Sequence, residues 1–309
     1  MMNLKSVKRI LMLQTLALSA VLLAASACGG SSGERRIVYE ASNGDVTNIF
    51  TIDANTGDKK QITYGDEFDG NPAWAPDHKR IIFASNRETP EKNDIWIMDA
   101  DGSHPRAITS TEDAAEWSPK FSPDGKRIAY AGQDAEGGWD IRLMNADGSG
   151  DHELAGPYKF SEFPAWTRDG REVYFAAIPQ DKDDTDIFSV DVASLNVVTR
   201  IATPGGDLCP HFSRDGEYMT YATSPSGEED NVDLFRHEIS SDDTTGASDE
   251  RLTTSSASDD YGNPSPDGKR YVFVSKRHGN FDLYLMDADG SHQRRLTNTP
   301  DARENVPDW

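Results

Sequence analysis

Cysteine is almost absent from this chain of 309 residues, which has only Cys28 and Cys209. The first closes a leader-like segment, so the processed chain is expected to hold no intrachain disulfide and no cysteine-built zinc site. Cations are scarce as well. Lys and Arg number 31 against 53 Asp and Glu, a formal charge of -22 that becomes -25 once Lys5, Lys8 and Arg9 leave with the leader. Such a surface repels nucleic acid and anionic lipid and attracts cations and basic partners. Adaptation to a salty medium, where screening relieves self-repulsion, accounts for the same charge. Helical periodicity is missing after the leader, and no run there has the length of a helix. The histidines form no close-spaced metal set: His78, His104, His152 and His292 fall in repeated turns, and His211, His237 and His278 are scattered.

The first residues read as a processing segment. A positive start is followed by 16 almost wholly apolar residues, Ile10 to Ala25, and then by Ser26-Ala27-Cys28. That run is short for a membrane span and ends in small residues, the pattern of an exported chain. The context Ala-Ser-Ala-Cys-Gly-Gly resembles a bacterial lipoprotein box, with alanine at the usual leucine. The resemblance implies cleavage before Cys28 and lipidation on it. Gly29 in place of aspartate implies an outer-membrane lipoprotein facing the periplasm or the cell surface. We therefore divide the chain into a signal peptide (1–28), a flexible tether (29–35) and one folded domain (36–309).

What is abundant is repetition, with a unit of roughly 45 residues. The turn aspartates Asp77, Asp124, Asp169, Asp215 and Asp267 are 47, 45, 46 and 52 residues apart. Each follows an inner-strand motif such as Asn71-Pro-Ala-Trp-Ala-Pro or Phe163-Pro-Ala-Trp-Thr-Arg, and each precedes a short β-rich run such as Arg80 to Ser85. A second run follows, as in Asp94-Ile-Trp-Ile-Met-Asp, and a third closes the unit. These pieces have strand length and composition and are separated by Asp-, Gly- and Asn-rich turns. Four short strands make a sheet that cannot bury both faces alone, whereas sheets packed radially around an axis can.

The count comes from the ends. Arg36 to Tyr39, Asn48 to Asp53 and Gln61 to Thr63 lack a first strand, and Asn305-Val-Pro-Asp-Trp309 supplies it. The fold class is therefore an all-β, six-bladed β-propeller of four-stranded antiparallel blades, closed by the C-terminal strand joining the N-terminal blade. In the last internal repeat two residues, including the aromatic, are missing between Asn263 and Asp267, which predicts a distorted inner strand there.

The strings Trp-Ala-Pro-Asp, Phe-Ser-Pro-Asp-Gly-Lys-Arg-Ile-Ala-Tyr and Asp-Leu-Tyr-Leu-Met-Asp-Ala-Asp-Gly-Ser resemble the repeats of the TolB-like β-propeller family over about residues 36 to 309. The resemblance implies a protein-binding scaffold of the cell envelope, here expected without the separate N-terminal domain that precedes the TolB propeller. Similar repeats occur in propellers of serine peptidases and of oligogalacturonate lyases. The scattered histidines do not match the metal site of the latter.

In a propeller the loops joining fourth to first strands and second to third strands emerge on one face. Here that face collects Asp66, Glu67, Asp69, Glu112, Asp113, Glu116, Asp181, Asp183, Asp184, Glu228, Glu229, Asp230, Asp259, Asp260 and Glu304, with Trp117 and Trp139 in predicted face loops. An acidic rim suits a basic peptide or protein, or calcium with its preference for hard oxygen ligands; solvated loops on an acidic chain are the plain alternative. The repeated aromatics Trp74, Phe121, Trp166, Phe212 and Trp309 are expected to pack between blades, and the third-strand residues Asn48, Asp94, Asp140, Asp186, Asp233 and Asp282 to satisfy polar groups at the strand entrance. No catalytic constellation emerges. The expectation is a monomeric, non-catalytic envelope scaffold binding an envelope protein or basic peptide, with no cofactor unless calcium, and no nucleic acid. A carbohydrate-binding protein or carbohydrate-active enzyme using the axial cleft is the alternative.

Overall fold

The computed structural model describes residues 35–309 apart from 91, 112–113, 134–136, 225–230 and 241–243. Residues Arg36–Trp309 form one compact unit. Its strands make six four-stranded antiparallel sheets, each running outward in chain order from the strand nearest the axis. The exception in connectivity is the first blade, where Arg303–Asp308 lies inside Arg36–Asn43. The ring is thus a six-bladed propeller closed by its C-terminal strand.

Middle strands such as Arg80–Ser85 and Asp94–Asp99 are buried along nearly their whole length. This explains their continuous apolar runs, because a blade presses on a neighbour with each face. The core is accordingly six layers between blades. One of them joins Ile37, Tyr39 and Ile52 of the first blade to Val272, Val274 and Leu283 of the sixth around Trp309. Another joins Ile82, Ile95 and Ile97 to Phe121, Ile128 and Tyr130.

The repeated aromatics serve as rivets in these layers. The indole N–H of Trp74 donates to the Arg36 carbonyl, and that of Trp166 to the Lys120 carbonyl, each at 3.1 Å and each in the preceding blade. Arginines that open second strands stack on the next blade's aromatic: Arg80 on Phe121, Arg127 on Trp166 and Arg270 on Trp309.

The Asp-Gly turns are built alike. The carboxylates of Asp77, Asp124, Asp169, Asp215 and Asp267 each accept the backbone N–H two residues on. Gly125, Gly170, Gly216 and Gly268 follow with φ near +70°, the left-handed conformation that makes glycine useful there, and His78 adopts φ 51° in the first copy. At the opposite strand ends, Asp94 accepts the Thr111 N–H at 2.9 Å and Asp233 the Thr253 hydroxyl at 3.1 Å, the role expected of these acids.

The sixth blade corrects one expectation. Asn263 pairs with Val272 and Pro264 with Tyr271, in the register by which Ala73 pairs with Ile82 and Trp74 with Ile81. Nothing is missing from its inner strand. Tyr261-Gly262 occupies the place of Asn71-Pro72, and Pro264 that of the aromatic. The Asn263-Pro264 pair imitates Asn71-Pro72 two positions further along the strand, and the extra length of this stretch lies between the third and fourth strands of the blade before it, Asp233–Glu238 and Glu250–Arg251.

Every inner strand carries a bulge at the same point. Asn71, Ser118, Phe163, Cys209, Tyr261 and Val306 all have φ between 47° and 57°, and all but Tyr261 precede proline. The ladder skips these residues. A proline costs no ladder hydrogen bond at such a site, and the bulged residues turn toward the axis.

Candidate functional site: an axial channel with two unlike mouths

The ring of bulges narrows the axis. Phe163 and Tyr261, from the fourth and sixth blades, meet edge to face with ring centroids 5.6 Å apart. A cavity of only about 20 Å³ remains among Asn71, Ser118, Lys120, Phe163, His211 and Tyr261. The channel is therefore divided into two halves.

On the side where inner strands begin, three carboxyl groups converge. Glu40 accepts the Asn71 N–H at 2.8 Å, Glu162 the Ser118 hydroxyl at 2.7 Å, and Asp260 the Tyr261 N–H at 2.7 Å. Burial raises all three pKa values. Glu162 is pushed up to about 7 by burial and then by the Glu40 charge, while the Arg303 guanidinium partly offsets the rise at Glu40 and Asp260. Burial also pushes the Cys209 thiol up, with the Asp260 and Glu162 charges adding to it. Gly70 permits this packing: a Cβ there would lie 2.2 Å from Phe68 Cζ and 2.6 Å from Glu40 Oε2.

The predicted acidic rim separates into three groups. Asp66, Glu67, Asp181, Asp183 and Asp184 are exposed. Asp69, Glu116, Asp259 and Glu304 are buried at inner-strand starts, contrary to their placement on an open rim. Their work there is internal. Asp69 pairs with Arg87 at 2.6 Å and Asp259 with Arg277 at 2.7 Å, whereas Glu116 accepts from Thr109 and Glu304 from Thr297. Asp260 is half-buried inside the channel. Trp117 and Trp139 are also not loop residues. They belong to strands Glu116–Phe121 and Trp139–Asn145, half-buried against the core between the third and fourth blades, and Trp117 meets Phe68 edge to face at 5.1 Å. Cys28, Glu112, Asp113, Glu228, Glu229 and Asp230 lie outside the described residues.

On the side of the Asp-Gly turns the axis opens into a pocket of about 530 Å³. Sequence reasoning did not select this mouth. Lys120, His211, Asn263 and Asp308 line its depth, with Trp166, Phe212, Pro264 and Trp309 as walls and Arg168 and Arg214 in the turns around it. Asp308 ties several blades together: it pairs with Lys120 Nζ at 2.5 Å and accepts from Asn263 Nδ2 at 3.2 Å and the Trp74 N–H at 2.8 Å. The Lys120 ammonium beside it lowers its pKa against the effect of burial. Ala73, Lys120, Ala165, His211, Asn263 and Asp308 are the same position of six inner strands, so a polar residue there was the signal in the sequence.

Among the described residues no group of three or more His, Cys, Asp or Glu is arranged to hold a metal ion. The fold and channel define a repeat propeller with a plugged, polar axis. The chain belongs to the TolB β-propeller domain family, whose model matches residues 10–176 and 89–300. An uncharacterized protein of Agrobacterium fabrum is 27% identical over 250 residues, 77% of this chain and 80% of that protein. An uncharacterized peptidase of Bacillus subtilis, YuxL, is 24% identical over 62% of this chain but only 27% of its own length. Among solved structures, TolB from Acinetobacter baumannii superposes with a TM-score of 0.77 at 22% identity, covering 94% of this chain and 70% of that one.

Proposed function

We propose that this chain is a non-catalytic interaction module of the cell envelope that holds a basic protein segment at the acid-lined mouth of its axial channel. The observation that carries the reading is the convergence of Glu40, Glu162 and Asp260 on the axis, where burial raises all three carboxyls and a cationic side chain would relieve them. The exposed acids Asp66, Glu67, Asp181, Asp183 and Asp184 would add long-range attraction that salt screens. Export and lipidation at Cys28 would keep the module at the membrane surface. The carbohydrate alternative is less favoured because Trp166 and Trp309, although they reach the turn-side pocket, are only 7% exposed and carry Arg127 and Arg270 on their ring faces, so neither offers an open face for stacking on a sugar.

The test is capture of envelope proteins and cell-wall fragments on the immobilised mature chain, over a salt series and with and without calcium. We expect a saturable protein partner whose retention falls with salt and is lost in Glu162→Gln/Asp260→Asn. Retention indifferent to both salt and that double variant would refute the reading, and glycan retention without a protein partner would favour the carbohydrate alternative.

A further inference from the structure

The pocket at the turn-side mouth differs in charge from the rest of the molecule. Lys120, Arg168 and Arg214 line it against one carboxylate, Asp308, on a chain of formal charge -22. Lys120 has three N–H donors, of which Asp308 takes one at 2.5 Å. Arg168 and Arg214 are exposed, and each spends one Nη1 on a carbonyl of the next blade's turn, Asp215 at 3.1 Å and Pro266 at 3.4 Å. Those bonds hold both guanidiniums at the rim and leave most of their donors available.

His211 contributes the opposite polarity. Its Nδ1 lies 3.0 Å from the Cys209 carbonyl, which can only accept, so Nδ1 carries the proton. Burial and then the Lys120 charge lower its pKa to about 4, which keeps the ring neutral at pH 7 and leaves Nε2 an acceptor. Spare cationic donors, one neutral acceptor and the walls of Trp166 and Phe212 thus share a pocket of ligand size.

We propose that this pocket binds an N-acylated α-amino carboxylate, the chemistry of a peptide C-terminus: the carboxylate accepts from Lys120, the adjacent amide N–H donates to His211, and Arg168 and Arg214 at the rim attract the negative charge. An apolar side chain on that residue packs against Trp166 and Phe212. Asp308 keeps Lys120 in place and rejects a second acid on the ligand. The site is separate from the acid-lined mouth and stands or falls without it.

The experiment is an NMR titration of the full mature chain labelled at histidine, with the His211 signal assigned by its loss in His211→Asn. N-acetyl-leucine is expected to shift that signal saturably. N-acetyl-leucinamide lacks the carboxylate and 4-methylpentanoate lacks the N–H, and each should bind at least about tenfold more weakly, the worth of one charge-assisted or buried hydrogen bond. Arg168→Glu/Arg214→Glu, made at exposed positions that should spare the fold, should weaken N-acetyl-leucine by a similar factor. Lys120→Met should do the same, with circular dichroism checking that the fold survives. Tighter binding of acetyl-Ala-Ala-Ala-Leu than of N-acetyl-leucine assigns the site to polypeptide ends, and equal binding assigns it to free acyl-amino acids. No saturable shift with any carboxylate, equal affinity for the amide, or indifference to the rim reversal each overturns the proposal.

Discussion

Removing residues 304–309 should cost this propeller far more than trimming an ordinary terminus. The segment supplies the inner strand of the first blade and the side chain that fills its interface with the sixth. Trp309 is 7% exposed. A buried aromatic removes roughly 150–250 Å² from water, worth about 4–6 kcal/mol at 25 cal/mol per Å² as an upper bound, and Trp→Ala in a core costs about 3–5 kcal/mol. The deletion also strips Lys120 of Asp308 and leaves Arg36–Asn43 with an open inner edge. Total stability of a single domain is only about 5–15 kcal/mol, so the deletion should leave the ring largely unfolded at room temperature. Trp309→Ala alone should remain folded but melt about 6–20 °C lower, at roughly 2–4 °C per kcal/mol for a chain of this size. Thermal unfolding by circular dichroism measures both, with Val197→Ser on an exposed position as a control that should not move. A deletion variant that melts with the parent would refute the closure argument, whatever the alanine variant does.

Other outcomes follow from the channel. Glu116 and Glu162 are pushed up to about 7, chiefly by burial, so the folded state binds more protons than the unfolded state between about pH 4.5 and 7. Their contribution is full below that window and lost as pH rises through 7, so melting temperature should fall from pH 5 to pH 8, and Glu162→Gln should flatten that fall by on the order of 2 kcal/mol. A melting curve unchanged by that substitution at pH 8 would count against a buried, charged Glu162. Gly70→Ala should destabilise by about 1–3 kcal/mol in chemical denaturation, because its Cβ meets Phe68 and Glu40 at 2.2 and 2.6 Å; a neutral result would mean Phe68 moves freely. Lys120→Met should cost about 3 kcal/mol by stranding Asp308, and Lys120→Met/Asp308→Asn should recover much of it; additive losses in the double-mutant cycle would show the pair to be uncoupled.

Much of the architecture was legible in the sequence because it is written six times. The Asp-Gly turns, apolar runs and inner-strand aromatics recur at the blade period, and Asn305-Val-Pro-Asp-Trp309 completes the count because it matches Phe163-Pro-Ala-Trp in spacing. Local chemistry fixes each of these: a carboxylate closes its own turn, and a run buried on both faces must be apolar. Where a repeat loses its landmarks the same reading fails. Asn263-Pro264 looks like Asn71-Pro72, yet strand pairing puts Tyr261-Gly262 there, because the ladder of the whole blade outweighs a two-residue likeness.

The site was much less legible. Sequence phase says which end of a strand a residue occupies but not whether its side chain meets water. Asp69, Glu116, Asp259 and Glu304 therefore looked like rim acids, although neighbouring threonines and arginines take them inside. Only the ring brings Glu40 of a second strand beside Glu162 and Asp260 of two other blades, or sets Lys120 against Asp308 across 188 residues. Those encounters depend on six bulges turning toward one axis, a property of closure that no single repeat contains. The sequence by itself determined the blades and their number, and the tertiary structure decided which charges face each other, because burial and charge pairing are set by neighbours distant in the chain.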